Sequence, residues 1–316
     1  MSKLKILVAG LVPDEGLVEL KRDFAVDHQP DASRAWILKH LGEYDGLLLA
    51  STRADRELID AGKKLKIITT FGVGYDHVDV DYARECGIVV TNCPISVRIP
   101  TAEMALTLML ATVRRLHFYD HAMRQGEWVN VSQPVNMGTS MQGKTLGVYG
   151  MGRIGAAVAR FGWMLGMRVI YHNRHRVDPQ LEQELAARYV DFTTLVKTAD
   201  VLTLHAPALP STQGVFNAVV FAQMKDTAYL INTARGALVN QDDLAVALRD
   251  RQIAGAGLDV FVDEPAIPMA LTKLDNVVLS PHAGTGTREA RLAIAREAAD
   301  NLISYLRDGQ VVNRVN

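Results

Sequence analysis

The sequence predicts an α/β protein built on two doubly wound parallel sheets, and three observations predict it. Short β-rich runs alternate with longer stretches of helical period, the runs fall into two series, and the second series opens on a glycine-spaced turn. Such alternation reads as βαβ units whose strands are covered on both faces by helices. The first series is KILVAG (5–10), YDGLLLA (44–50), LKIITTFG (65–72) and GIVVTN (87–92). The second is TLGVYG (145–150), RVIYH (168–172), DVLTLHA (200–206), AYLINTA (228–234), GAGLDV (255–260) and NVVLSPH (276–282). Ten strands exceed one modest sheet, and 316 residues suffice for two domains. Between the series, TAEMALTLMLATVRRLHFYDHAMRQGEW (101–128) reads as a buried helix that gives way to a polar arm reaching Gly143, with a domain boundary near Pro100. The segment TREARLAIAREAADNLISYLRDG (287–309) is an amphipathic helix that either caps the second domain or crosses back to the first.

Composition narrows the partners. A formal net charge of -1 gives no electrostatic reason to expect nucleic acid or an anionic membrane, since both call for a basic surplus. A small molecule is the expected ligand. Cys86 and Cys93 are the only cysteines, too few for a disulfide framework or a zinc set, so they read as reduced core thiols and no metal is expected. The apolar run in MSKLKILVAG is short for a signal h-region, and no stretch reaches the ~18 apolar residues of a membrane helix. The expectation is a cytoplasmic protein.

In VYGMGRIGAAVAR (148–160), Gly150, Gly152 and Gly155 follow a predicted strand and open a predicted helix. The first glycine makes the turn, the second admits a pyrophosphate to the backbone, and the third lets helix and strand pack closely. Exposed N–H groups and the helix dipole favour the anion. The domains are therefore expected to be Rossmann-like, with a dinucleotide in the second. An acid about 20 residues further on normally accepts the ribose 2′-OH of NAD. Asn173 stands there instead, followed by Arg174 and Arg176, which are able to pair with a 2′-phosphate. NADP(H) is preferred on this reading, with NAD(H) possible.

Three polar residues lie at or near strand ends on the carboxyl edge of the second sheet: Arg235 in INTARGALV, Glu264 in GLDVFVDEP and His282 in LSPHAG. Hydride transfer at a carbon bearing oxygen needs a proton moved on that oxygen, which suits a histidine. A carboxylate on the other ring nitrogen sets the tautomer and favours imidazolium, and an arginine meets a substrate carboxylate through a fork. Taken singly, each residue has another reading: a loop histidine, a helix-start arginine, a turn glutamate before Pro265.

Seven ordered blocks make the chain resemble the D-isomer-specific 2-hydroxyacid dehydrogenases over nearly its full length. They are GVGYDHVD (72–79), TAEMAL (101–106), GKTLGVYGMGRIG (143–155), LHAPALPSTQGVFN (204–217), INTARGALVNQDDL (231–244), AGAGLDVFVDEP (254–265) and SPHAGTGT (280–287). The resemblance implies that Arg235 binds the substrate carboxylate and polarises its keto oxygen, that Glu264 pairs with His282, and that His282 is the acid/base. It implies that Val73 and Gly74 hold the carboxylate through their N–H groups. The cofactor side would include Arg153 and Ile154 of the glycine turn, His205, Pro207, Thr212, Thr233, Ala234, Asp259 and Gly284. It further implies a substrate-binding, flavodoxin-like domain from residues 1–99 plus 285–316, a dinucleotide-binding domain from 100–284, a cleft between them, and a homodimer formed through the 101–143 helix and arm.

Within the family the Asn173–Arg174 pair is similar to the NADPH-preferring glyoxylate and hydroxypyruvate reductases. The expected activity is thus reduction of a small 2-keto acid to a D-2-hydroxy acid. The alternatives are an NAD-dependent 2-hydroxyacid dehydrogenase with another substrate, or a nucleotide-sensing binding module on the same fold. The loop NCPISVRIP (92–100) departs from the family pattern at Arg98 and Ile99, so no contact is carried over there.

Overall fold

The structure is a computed structural model and describes residues 3–316. The chain divides into two compact units, one from Met1–Val97 with Thr285–Asn316 and one from Arg98–Gly284. Both are α/β units on parallel sheets, in agreement with the predicted fold class.

The first unit holds β1 (Lys5–Ala9), β2 (Ala25–Gln29), β3 (Gly46–Leu49), β4 (Ile67–Thr70) and β5 (Val89–Thr91), in the order β2-β1-β3-β4-β5. The central strands read GLLL and IITT because helices cover both faces, and every residue of β3 and β4 is buried. Strand order reverses between β1 and β3, which places the crevice of a doubly wound sheet at their carboxyl ends. The loops after β1, β3 and β4 share that edge. The Arg288–Asp308 helix belongs to this unit; Thr287 caps it by accepting from the Ala290 N–H at 3.1 Å. It is tied to the loop after β5, where Glu297 accepts from the N–H groups of Ile95 and Ser96 at 3.1 and 2.8 Å and Asn301 Nδ2 donates to the Asn92 carbonyl at 2.8 Å.

The second unit holds β6 (Thr145–Tyr149), β7 (Arg168–His172), β8 (Arg188–Tyr189), β9 (Val201–Leu204), β10 (Tyr229–Asn232), β11 (Gly255–Leu258) and β12 (Val277–Leu279), in the order β12-β11-β10-β9-β6-β7-β8. One face buries Leu108, Met109, Val158 and Ile231 beneath the Arg98–Val113 and Arg153–Met164 helices; the other buries Phe216, Phe221, Leu244 and Leu248. Each such side chain contributes roughly 1.5–3 kcal/mol. Here the order reverses between β6 and β9, so the glycine turn after β6 and His205 after β9 flank the switch point.

Three sequence expectations are corrected. Of the two cysteines read as core thiols, Cys93 is buried but Cys86, at the exposed end of the Val80–Glu85 helix, is not. Among the described residues there are twelve strands rather than ten: β2 and β8 are edge strands, and AVDHQ and RY lack the apolar run that marks a doubly covered strand. The single helix read over 101–128 is two helices, Arg98–Val113 and Leu116–Arg124, broken where Arg115 takes a left-handed conformation at φ 54°.

Candidate active site

Gly150 turns the chain out of β6 at φ 97°, and a Cβ on it would lie 2.5 Å from the Ala206 nitrogen. A Cβ on Gly155 would lie 2.3 Å from the Gly150 carbonyl oxygen, so this glycine lets the helix start against the turn. Above Gly152 the space is open, with nothing within 4 Å. Gly152 caps the Arg153–Met164 helix without a side chain, which leaves first-turn N–H groups, including those of Arg153 and Ile154, for an anion. These features fit a dinucleotide pyrophosphate.

At the end of β7, Asn173 turns its amide onto the glycine turn, its Oδ1 accepting from the Met151 N–H at 2.6 Å and its Nδ2 lying 3.4 Å from the Met151 carbonyl. Arg174 and Arg176 follow on an exposed turn. The Arg176 guanidinium is engaged side-on by Glu182, Nη2 at 2.7 Å and Nε at 3.2 Å, and sits 5.8 Å from the centroid of the Tyr189 ring. Arg176, and after it the Tyr171 hydroxyl, holds the Glu182 carboxyl below its usual range. A carboxylate therefore stands beside one of the two predicted phosphate ligands.

Around the switch point, His205 Nε2 lies 2.8 Å from the Thr203 hydroxyl, and burial pushes its pKa down to about 3, so the ring is neutral. The Thr212 hydroxyl closes the next loop, donating to the Pro207 carbonyl at 2.8 Å and accepting from the Leu209 N–H at 2.9 Å. After β10, buried Asn232 accepts from the Ala234 N–H at 3.0 Å and donates to the Arg235 carbonyl at 2.9 Å, fixing the turn that carries Thr233, Ala234 and Arg235. The Thr233 hydroxyl is buried and has no hydrogen-bond partner among the described residues, as a group kept for a ligand would be. Arg235 Nη1 donates to the Ala234 carbonyl at 2.7 Å.

The ends of β11 and β12 bring the remaining residues together. Buried Asp259 accepts from the N–H groups of Ala283 and Gly284, both at 2.8 Å, and from the Ser280 hydroxyl, while its carbonyl accepts from the His282 N–H at 2.7 Å. His282 itself is left-handed, at φ 52°, on this braced turn. Its Nδ1 meets Glu264 Oε2 at 2.7 Å, and Glu264 Oε1 accepts from the Phe261 N–H at 2.9 Å. With Nδ1 carrying the proton toward the carboxylate, Nε2 is the nitrogen left for chemistry.

Val73 and Gly74 lie in the first unit, on the loop after β4. That loop turns its carbonyls inward: the Gly72 oxygen accepts from the Thr70 hydroxyl and the Cys93 N–H at 3.0 and 2.9 Å, and the Val73 oxygen accepts from Asn92 Nδ2 at 2.8 Å. Among the described residues no acceptor takes the N–H of Val73 or Gly74.

Asn232, Glu182, Asn92 and Ser280 escaped the sequence reading. Asn232 alone left a signal, because an asparagine at a strand end favours a side-chain-closed turn.

Residues 106–284 match the family model described as D-isomer specific 2-hydroxyacid dehydrogenase, NAD binding domain. The chain belongs to the D-isomer specific 2-hydroxyacid dehydrogenase family. It is 39% identical to a glyoxylate reductase of Thermococcus litoralis, an alignment covering 99% of this chain and 97% of that one. Among solved structures of this dehydrogenase fold, a glyoxylate reductase from Paecilomyes thermophila superposes with a TM-score of 0.92 at 33% identity, covering 100% of this chain and 99% of the other. An NADPH-dependent glyoxylate/hydroxypyruvate reductase from Sinorhizobium meliloti, in complex with NADP and malonate, gives 0.89 at 34% identity, covering 99% and 97%. The family's chemistry is oxidoreduction with a nicotinamide cofactor, and the two-unit parallel-sheet architecture is the family's fold.

Proposed function

We propose that the protein reduces small 2-keto acids such as glyoxylate or hydroxypyruvate to D-2-hydroxy acids, with NADPH preferred and NADH accepted. The observation that carries this reading is the 2.7 Å Glu264–His282 contact on a turn braced by Asp259. Three of the family relatives named above are reductases of this class, which agrees with it. The Arg98–Gly284 unit is assigned to the cofactor and the other unit to the substrate.

Bound NADPH supplies the hydride that reaches the keto carbon. His282, as imidazolium, gives its Nε2 proton to the keto oxygen as negative charge develops there and is left as the neutral ring protonated on Nδ1, while Glu264 accepts from Nδ1–H and fixes the ring's orientation. Arg235 polarises that oxygen and anchors the carboxylate, which also takes the N–H groups of Val73 and Gly74. Arg153 and Ile154 N–H groups would hold the pyrophosphate. Thr233, Ala234, His205, Pro207, Thr212 and Gly284 would line the rest of the cofactor site. Asp259 retains one lone pair on Oδ2 for the cofactor beyond those serving the turn. Preference for NADPH falls chiefly on Arg174, because Glu182 offsets the charge of Arg176.

Trp128, Val131, Val135 and Met137 expose apolar surface along the 127–142 arm, which supports a homodimer formed through the 101–143 segment. No described helix is long and apolar enough to cross a membrane. The activity is tested by a panel of 2-keto acids with NADPH and NADH. Turnover of glyoxylate or hydroxypyruvate, steeply impaired in Arg235→Lys because lysine lacks the fork, is the expected result. No turnover of any 2-keto acid with either cofactor would leave a nucleotide-sensing module as the better reading.

A further inference from the structure

Arg291 takes no part in the chemistry above, yet its surroundings call for an anion. It sits half-buried in the first turn of the Arg288–Asp308 helix, where the helix dipole disfavours a cation. Burial is what lowers its pKa, and no carboxylate among the described residues raises it back. A buried charge normally has a partner of opposite sign. Its hydrogen bond and its ring contact among the described residues are both to neutral groups: the guanidinium lies 4.3 Å from the centroid of the Phe71 ring, and Nη2 donates to the Leu11 carbonyl at 3.2 Å.

Those contacts fall on two loops at one edge of the first unit's sheet. Leu11 follows β1 and Phe71 follows β4. Phe71 leads directly into Gly72, Val73 and Gly74; the Gly72 and Val73 carbonyls are turned inward, and the N–H groups of Val73 and Gly74 find no acceptor among the described residues. A guanidinium has five N–H donors in a fixed plane, and here one is used. The rest of its charge and donor capacity is uncompensated beside backbone donors of the same polarity. Arg291 thus stiffens the Val73–Gly74 loop from its Phe71 end and adds positive potential to it.

We propose that Arg291 is a positioning residue for the substrate carboxylate, holding the loop after β4 in its anion-accepting shape and drawing the keto acid to it. The proposal rests on the reading that Val73 and Gly74 take that carboxylate. It separates binding from chemistry, since Arg291 belongs to the unit that carries the Val73–Gly74 loop, whereas the acid/base and the cofactor turn belong to the other.

The test is steady-state kinetics on the intact protein for Arg291→Met, which keeps an apolar stem over Phe71, and Arg291→Lys, which keeps the charge but loses the planar stack. Expected for Arg291→Met is a KM for glyoxylate raised at least tenfold, with kcat within threefold and NADPH affinity within twofold of the parent. Arg291→Lys should recover part of the KM, and raising salt should weaken substrate binding less in Arg291→Met than in the parent. A KM within twofold of the parent in both variants overturns the inference while leaving keto-acid reduction intact. Should Arg291→Met not fold, a KM within twofold of the parent in Arg291→Lys overturns it equally. Failure of the parent to reduce any 2-keto acid overturns the underlying reading instead.

Discussion

Asn173 shows how much one side chain decides. Its carbonyl oxygen holds the Met151 N–H of the glycine turn, a task an aspartate oxygen can also perform, so Asn173→Asp should leave the turn intact while adding a charge that repels a 2′-phosphate. Cofactor affinity should shift toward NADH. Glu182→Gln should shift it the other way, at least threefold toward NADPH, by releasing the Arg176 charge; fluorescence titration with both cofactors measures each ratio, and ratios unmoved in both variants would remove this account of cofactor choice. His205 carries a pH consequence. Its folded pKa, about 3, lies below the ~6.5 of an unfolded histidine, so the unfolded chain takes up the proton first. Stability is full above about pH 6.5 and falls as pH drops from there toward 3, by at most ~1.4 kcal/mol per pH unit from this group. His205→Gln should flatten that slope in urea unfolding at pH 7 and 5; an equal slope would show the ring to be protonated in the fold. Arg235, Glu264 and His282 stand out in the sequence as candidates because strand ends announce them. Glu182 was not, because nothing in RHRVDPQLEQEL says that the short Pro179–Glu184 helix returns its carboxylate to Arg176.

Among elements, legibility followed burial. Strands β3, β4, β9 and β10 are buried along their whole length and stand out as apolar runs, whereas β2 and β8 each pair on one side only and carry polar residues. The break at Arg115 was hidden for a related reason: Arg114 and Arg115 look like one more helical turn, and only the path of the chain demands the left-handed residue. The turn after β12 joins element to site. Asp259 spends both oxygens on it, a three-acceptor arrangement that aspartate provides and asparagine does not, because one amide nitrogen would face an N–H donor. Asp259→Asn should cost about 1–3 kcal/mol of stability for the unsatisfied buried group and lower kcat more than it raises KM, since His282 rides on the turn. Thermal unfolding and kinetics check both; parental values in each would show that the turn holds itself.

For the whole molecule, the alternation of short apolar runs with helices specified two parallel sheets, which the structure and the family's solved relatives share. The strand orders themselves were beyond the sequence reading, since a run of apolar residues says that a strand is central and not which neighbour it pairs with. Those orders put the glycine turn beside His205 at one switch point, and the neighbouring strand ends then carry Arg235, Asp259 and His282 in sequence across β10, β11 and β12. The central claim is that this edge moves a proton through His282 while the glycine turn binds the cofactor independently. Its most direct test is His282→Ala, measured for NADPH binding by titration and for glyoxylate reduction under saturating NADPH. NADPH affinity within twofold of the parent, with turnover reduced at least ~100-fold, is the outcome this account requires. Turnover near the parent rate with the same NADPH affinity would contradict it.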